Sequence, residues 1–191
     1  YFEASPRWAL DQPYQQSASK GYEADGLLYL KSGSKEQNIL AKQGDDLRID
    51  WGYFYMVAGK ENTAYSVGNS TELRKNFVNG TLNSASLEGE DSNGNMALVR
   101  SHGKVKNVTD KIMLGYDDIY SIQYFGTNLR PYWNSKGDRT IEAEMLAAYN
   151  EYDKLLARCY AFDKKLMEDA SAAGGKEYAE LCALAYRQSI A

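Results

Sequence analysis

A single histidine, His102, is all the imidazole this chain of 191 residues possesses, and that scarcity removes several chemistries at once. A Ser-His-Asp or Cys-His relay would have to run through it. Its setting, "RSHGK" (100–104), reads as an exposed loop rather than a catalytic strand end. A histidine-based metal site is excluded by the count, no zinc spacing is present, and no glycine loop of the phosphate-binding kind occurs, so neither metal nor cofactor is expected. Basic residues are outnumbered, 22 against 26 acidic, with no basic stripe. Nucleic-acid binding needs clustered Lys and Arg to displace counterions, so it is disfavoured. No apolar run approaches the ~20 residues of a membrane span, and no signal peptide is visible, although a chain opening at Tyr1 rather than Met leaves its compartment open. The only two cysteines, Cys159 and Cys182, fall on apolar helical faces, where two buried free thiols are expected in preference to a disulfide.

Aromatic residues, by contrast, are plentiful: 16 Tyr, 5 Phe and 3 Trp. Tyrosine at that density suits β-surfaces and wet interfaces, and equally saccharide-stacking surfaces. Up to about residue 135, Gly, Asn, Asp and Ser punctuate short apolar runs: "GLLYLK" (26–31), "NILAK" (38–42), "LRIDWGYFYMV" (47–57), "MALVR" (96–100) and "KIMLGY" (111–116). In the third run, Leu47, Ile49, Trp51, Tyr53, Tyr55 and Val57 alternate with Arg48, Asp50, Gly52, Phe54 and Met56, a period of two that predicts a strand buried first on one side and then on both. Such runs between turn residues indicate an antiparallel β-sandwich. The polar stretch 79–95 reads as a long connection. Its Asp91, Asn93 and Asn95 have calcium-loop spacing, but Met96 replaces the glycine and His102 the closing glutamate, so a surface turn is expected.

After residue 137 the period lengthens. Ile141, Met145, Ala148, Tyr152, Leu155, Cys159, Phe162 and Leu166 mark one face of a long helix, with Asp138 as N-cap and Gly174-Gly175 as its end. A second helix opens at Lys176 with Tyr178, Leu181, Cys182 and Ala185 on one face, and it meets the end of the sequence without a cap. The fold expected is therefore mainly β with C-terminal α: an antiparallel β-sandwich domain over 1–134, then two helices within 138–191.

The blocks "QGDDLRIDWGYFYMV" (43–57), "DKIMLGYDDIYSIQYFGTNLRPYW" (110–133) and "FDKKLMEDASAAGGKEYAELCALAYRQSIA" (162–191) together resemble the microbial glutaminase A family. The resemblance implies a secreted or cell-envelope enzyme with a β-sandwich, a helical linker and an (α/α) barrel, hydrolysing L-glutamine to L-glutamate and ammonia. The resemblance further implies that 1–134 is the sandwich domain, incomplete at its N-terminus, and 138–191 the helical linker and first helix of a truncated barrel. That makes the chain a non-catalytic portion, inactive alone, with the rest of the barrel docking on its last two helices. The resemblance carries no catalytic assignment onto a position here. An alternative is the ancillary sandwich of a carbohydrate-active (α/α)-barrel enzyme. A flat row of exposed rings would favour sugar, and a small pocket with opposed charges would favour glutamine.

Among the acids, Asp45-Asp46 reads as a turn into a sheet, and Asp50 as an ion-pair partner of Arg48. Asp117 and Asp118 are sharper, because they sit inside a run of large apolar side chains. "KIMLGY" predicts a strand, and Ile119, Ile122 and Phe125 then fall at helical spacing, which puts the acids at a strand-to-helix junction where one can cap the helix. The functional reading places one of them at the edge of the enzyme's cleft with Tyr124, Arg130 and Trp133. A third reading is a salt bridge to Arg130 or Lys111.

Overall fold

The computed structural model describes residues 1–12, 14–44, 49–82 and 94–189. Two compact units result, Tyr1–Leu146 and Ala147–Ala191. In the first, β1 (Phe2–Ala4), β2 (Ser17–Ala24), β3 (Leu27–Ser34), β4 (Tyr53–Gly59) and β5 (Thr63–Gly68) precede a helix, α1 (Ser70–Val78). Then come β6 (Asn95–Arg100), β7 (Met113–Asp117), β8 (Ile122–Tyr124) and β9 (Thr127–Leu129). All pairings are antiparallel, forming a four-stranded sheet β2-β3-β4-β7, a three-stranded sheet β1-β6-β5 and the β8-β9 hairpin.

The two larger sheets face each other across one core. Leu28, Leu30, Phe54, Met56 and Ala58 of the four-stranded sheet meet Ala4, Tyr65, Val67, Met96 and Leu98 of the other. This is the antiparallel sandwich that the period-two runs predict. The register of β2 and β3 is set by a two-residue turn, Asp25-Gly26, with φ of 48° and 78°. Both residues occupy the left-handed region, which matches the natural twist of a hairpin and which Asp and Gly tolerate.

Several local expectations are corrected. The run 38–42 forms no strand, being turn and irregular backbone, and the strand expected from 47 begins only at Tyr53. Residues 45–48, and with them Asp45, Asp46, Leu47 and Arg48, lie outside the described residues, as do Asp91 and Asn93 of the calcium-like spacing. The alternation in β4 is real, but the core between the sheets takes Phe54, Met56 and Ala58. Tyr55 and Val57 face the other way and are buried as well. That outer face is closed by Met145, whose sulfur sits where a side chain on Gly115 would be, and by Glu142, whose backbone carbonyl accepts the Tyr29 hydroxyl.

The final helix, α2 (Ile141–Ser189), is broken at Gly175 (φ 80°, ψ −175°), as the Gly174-Gly175 pair predicts. Its cap is Thr140 rather than Asp138: the Thr140 hydroxyl accepts the Ala143 N–H at 3.2 Å, and its carbonyl accepts Glu144 N–H. Within the second unit, the rings of Phe162 and Tyr186 lie 4.9 Å apart. In an unbroken helix those positions would be separated by about 36 Å, so the two stretches fold back on each other. Gly174 carries no side chain because the Tyr178 ring occupies that space, and Ala179 beside the break is fully buried. Away from the break the hairpin stays open: Tyr152, Leu155, Tyr160, Phe162, Tyr178, Leu181, Leu184 and Tyr186 are all exposed. Cys159 is exposed too and Cys182 half-buried, both free, which corrects the expectation of buried thiols.

Candidate functional site

The segment from Asp117 to Trp133 is held from below by the loop preceding β4. Trp51 is buried, and its indole N–H donates to the carbonyls of Asp118 at 2.7 Å and Tyr120 at 2.9 Å. The Tyr116 hydroxyl donates to the Trp51 carbonyl in return. Burial, reinforced by the charges of Asp118, Asp50 and Asp117, pushes Tyr116 up to about 12, so it stays a hydroxyl donor at any ordinary pH. Gly52 (φ 82°) lies directly against the Asp117 carbonyl, and any Cβ there would collide with it. The Gln37 side chain fixes this loop further, accepting Gly52 N–H at 2.6 Å and donating to the Ser34 carbonyl at 2.7 Å.

The Asp117 carboxylate does structural work, whereas Asp118 contributes its backbone carbonyl to the Trp51 indole. Asp117 ends β7, and its Oδ1 accepts the Ile119 N–H at 3.0 Å. That is a turn-type bond to the residue two further on, not a helix cap, because no helix follows. The residues expected at helical spacing instead form the β8-β9 hairpin, with Ile122 opposite Leu129 and Tyr124 opposite Thr127. The reason is the Phe125-Gly126 turn, with φ of 44° and 78°, which reverses the chain after three strand residues. Ile119 (φ 60°) and Phe125 both hold left-handed backbone that β-branched and bulky side chains disfavour. Every residue of β8 and β9 is exposed, and Phe125 at the tip is 90% exposed.

Arg130 and Trp133 lie further along. The guanidinium of Arg130 sits 4.8 Å from the centre of the Tyr120 ring, a cation–π contact, with neither acid as its partner. The same side chain lies against Gly137, where a Cβ would fall 3.0 Å from Nε. Trp133 is half-buried in a short 3-10 turn (Tyr132–Asn134) and lines a cavity of about 250 Å³ together with Tyr132, Ser135, Lys136, Asp138 and Arg139. The five candidates occupy different local settings. Asp117 and Asp118 belong to a backbone-locking turn, Tyr124 to an exposed hairpin, and Arg130 to the frame of a loop in which Trp133 contributes to a cavity.

Other acids are also absorbed structurally. Asp50 is buried and bound to Lys42 Nζ at 2.8 Å, and Lys42 also reaches Asp11 at 2.8 Å. The Asp50–Arg48 pair expected from phase falls on a residue outside those described. His102 stands 3.1 Å from Asp110, which also bonds Arg100. Among the described residues, no group of three or more His, Cys, Asp or Glu side chains is arranged to hold a metal.

One polar set escaped the sequence reading. On the outer face of the four-stranded sheet, Lys31 Nζ lies 3.6 Å from the Tyr53 ring centre and Lys20 Nζ 5.2 Å from that of Tyr22. Burial lowers the Lys31 pKa, and the like charge of Lys20 opposite it adds to this. Tyr22 stacks on Tyr29 at 5.1 Å and donates to Glu142 Oε1 at 2.6 Å. The signal was present in Asp25-Gly26: a two-residue turn there pairs Tyr22 with Tyr29 and Lys20 with Lys31 automatically.

No helix among the described residues is long and apolar enough to cross a membrane. Comparison with known proteins gives one family. No curated protein and no solved structure matches the chain. Residues 1–169 match the family model described as domain of unknown function DUF5127, a span that takes in the whole sandwich and most of the first stretch of α2. The chain belongs to that DUF5127 family.

Proposed function

We propose that this chain is the non-catalytic β-sandwich and linker portion of a secreted or cell-envelope, glutaminase-like amidohydrolase, whose parent converts L-glutamine and water to L-glutamate and ammonia. The observation that carries the reading is the apolar surface left open on the second unit. Tyr178 and Leu181 are 47% and 60% exposed, and Leu184, Tyr186, Leu155 and Phe162 are exposed with them. Apolar side chains in such number on a two-stretch hairpin call for a cover. The cover proposed is the helical barrel of the same enzyme, continuing the helix packing that Phe162 and Tyr186 begin. The amidohydrolase assignment rests on the resemblance of residues 43–57, 110–133 and 162–191 to the glutaminase A family.

The saccharide alternative asks for a flat row of exposed rings. The exposed pair Tyr124 and Phe125 meets edge to face at 77°, which gives a sugar no common plane. Ammonia release from L-glutamine, measured for this chain and for the full-length parent, tests the proposal. Activity in the parent alone supports it. Activity in neither removes the glutaminase assignment, and activity in this chain removes the non-catalytic role. Replacing Tyr178 and Leu181 by Ser is expected to weaken capture of a separately expressed barrel while leaving the thermal midpoint of the sandwich unchanged.

A further inference from the structure

We infer that the cavity at Trp133 binds the zwitterionic end of a free α-amino acid, with Asp138 receiving the ammonium and Arg139 and Lys136 receiving the carboxylate. The choice of glutamine as the physiological ligand rests on the proposed function. The charge pattern alone calls only for an α-amino acid.

Size is the first argument. At about 250 Å³ the cavity lies below the range of drug-sized sites, roughly 300–1,000 Å³. It suits a ligand no larger than an amino acid or a monosaccharide.

Charge is the second. The wall carries a cation, an anion and a cation at Lys136, Asp138 and Arg139. Among the described residues neither Lys136 nor Asp138 has a hydrogen-bond or ion-pair partner, and Thr140 rather than Asp138 caps α2. Arg139 is tethered through Nη1 to Glu144 at 3.1 Å, which orients the guanidinium and leaves donors over, since a guanidinium carries five. A phosphate would face the Asp138 carboxylate, and a neutral sugar would gain nothing from three charges at one rim. An α-amino acid presents both signs one carbon apart and satisfies them together. Trp133 and Tyr132 also line the cavity and supply aromatic surface for the ligand stem.

Preorganisation is the third. The loop keeps its shape through internal bonds. Asn134 Oδ1 accepts Arg139 N–H at 3.0 Å, and the Asn134 carbonyl accepts Gly137 N–H at 2.9 Å. Gly137 takes φ of 74°, and Arg130, itself stacked on Tyr120, packs against it. A loop fixed before the ligand arrives loses less entropy on binding.

The test is a two-dimensional NMR titration of the ¹⁵N-labelled chain, following the Trp133 indole N–H, identified by its loss in Trp133→Phe. The probes are L-glutamine, glutaramic acid (no α-amino group), 4-aminobutanamide (no α-carboxylate), glucose and inorganic phosphate. The expected result is saturable movement with L-glutamine at a Kd of about 1 mM, and weaker binding of both truncated analogues by roughly tenfold. Asp138→Asn should weaken L-glutamine by a similar factor and leave glutaramic acid unchanged, at an unaltered thermal midpoint. No movement with L-glutamine, an equal response to glucose, or loss of all binding in Asp138→Asn irrespective of the amino group overturns the inference. If the parent releases ammonia while this cavity binds no amino acid, the inference fails and the proposed function stands. If the cavity discriminates the α-amino acid while the parent releases no ammonia, the site stands and the glutaminase reading falls.

Discussion

Tyr22, Tyr29 and Tyr55 on the four-stranded sheet and Tyr124, Phe125 and Tyr132 beyond β7 are the same chemistry in opposite circumstances. The first group stacks under the start of α2, and two of its hydroxyls find Glu142. Burial drives Tyr22, Tyr29 and Tyr55 upward in pKa, so they remain neutral donors. The second group is 61%, 90% and 96% exposed, and Phe125 holds a left-handed backbone besides. Aromatic content thus serves two ends in one unit: stability where a helix covers it, and an open surface where nothing among the described residues does.

Four experiments would break or sharpen that contrast. Tyr29→Ala should cost about 3–5 kcal/mol in denaturant unfolding, as for other large buried rings, whereas Tyr124→Ala should stay within about 0.5 kcal/mol. Equal effects would erase the distinction. Next, Gly33→Ala should cost about 1–3 kcal/mol, because its Cβ would lie 2.5 Å from the Gly52 carbonyl, a backbone atom in the loop that holds Asp117. The same measurement, joined to the Trp51 fluorescence, would show whether β3 and that loop move together.

Phe125→Asn acts in the opposite direction. It should stabilise by roughly 1–2 kcal/mol, because Asn-Gly accepts the turn that Phe-Gly resists. A loss of stability would mean that the Phe125 ring is packed in solution.

The smallest effect expected is a pH dependence at Glu3 on β1. Burial raises its pKa, but Asn95, Ser70, Arg74 and Tyr1 outweigh this with hydrogen bonds and hold it down to about 2. Its folded pKa is below its unfolded value, so its contribution is complete above pH 4.5 and is lost as pH falls from there towards 2. With an exposed Arg74 as one partner, that contribution is about 1 kcal/mol. Glu3→Gln should flatten the acid limb of the stability curve over that window.

What was legible in the sequence had a periodic or turn-forming signature. The alternation in 53–57, the apolar runs 26–31, 96–100 and 111–116, and the glycine break at 174–175 all became elements. What was not legible lacked such a signature. β8 and β9 are three residues each, too short for period two to separate from the helical spacing of Ile119, Ile122 and Phe125. α1 is announced by Asn69, whose side chain caps it by accepting Thr71 and Glu72 N–H, but its single buried residue, Leu73, leaves no apolar stripe. The local contacts of the candidate set 117–133 were not legible either: Asp117 accepts the Ile119 N–H, Tyr124 lies on a hairpin, Arg130 packs on Tyr120, and Trp133 lines a cavity with residues 132–139. The β8-β9 hairpin brings the chain back on itself, so that Ser121 N–H bonds the Leu129 carbonyl and Arg130 meets Tyr120, pairings that the helical spacing of 119–125 did not foretell.

The sequence by itself determined the class of the fold, because a two-residue period and a three-to-four-residue period specify strands and helices through local geometry alone. It also fixed the poverty in histidine that limits the chemistry, since composition cannot be altered by folding. The tertiary structure decided which of two apolar faces of β4 lies between the sheets, where the carboxylates go, and which loop closes around Trp133. Those outcomes depend on contacts between residues far apart in the chain, such as Trp51 with Asp118 and Tyr22 with Glu142, and no short-range pattern encodes the distance across which such pairs meet.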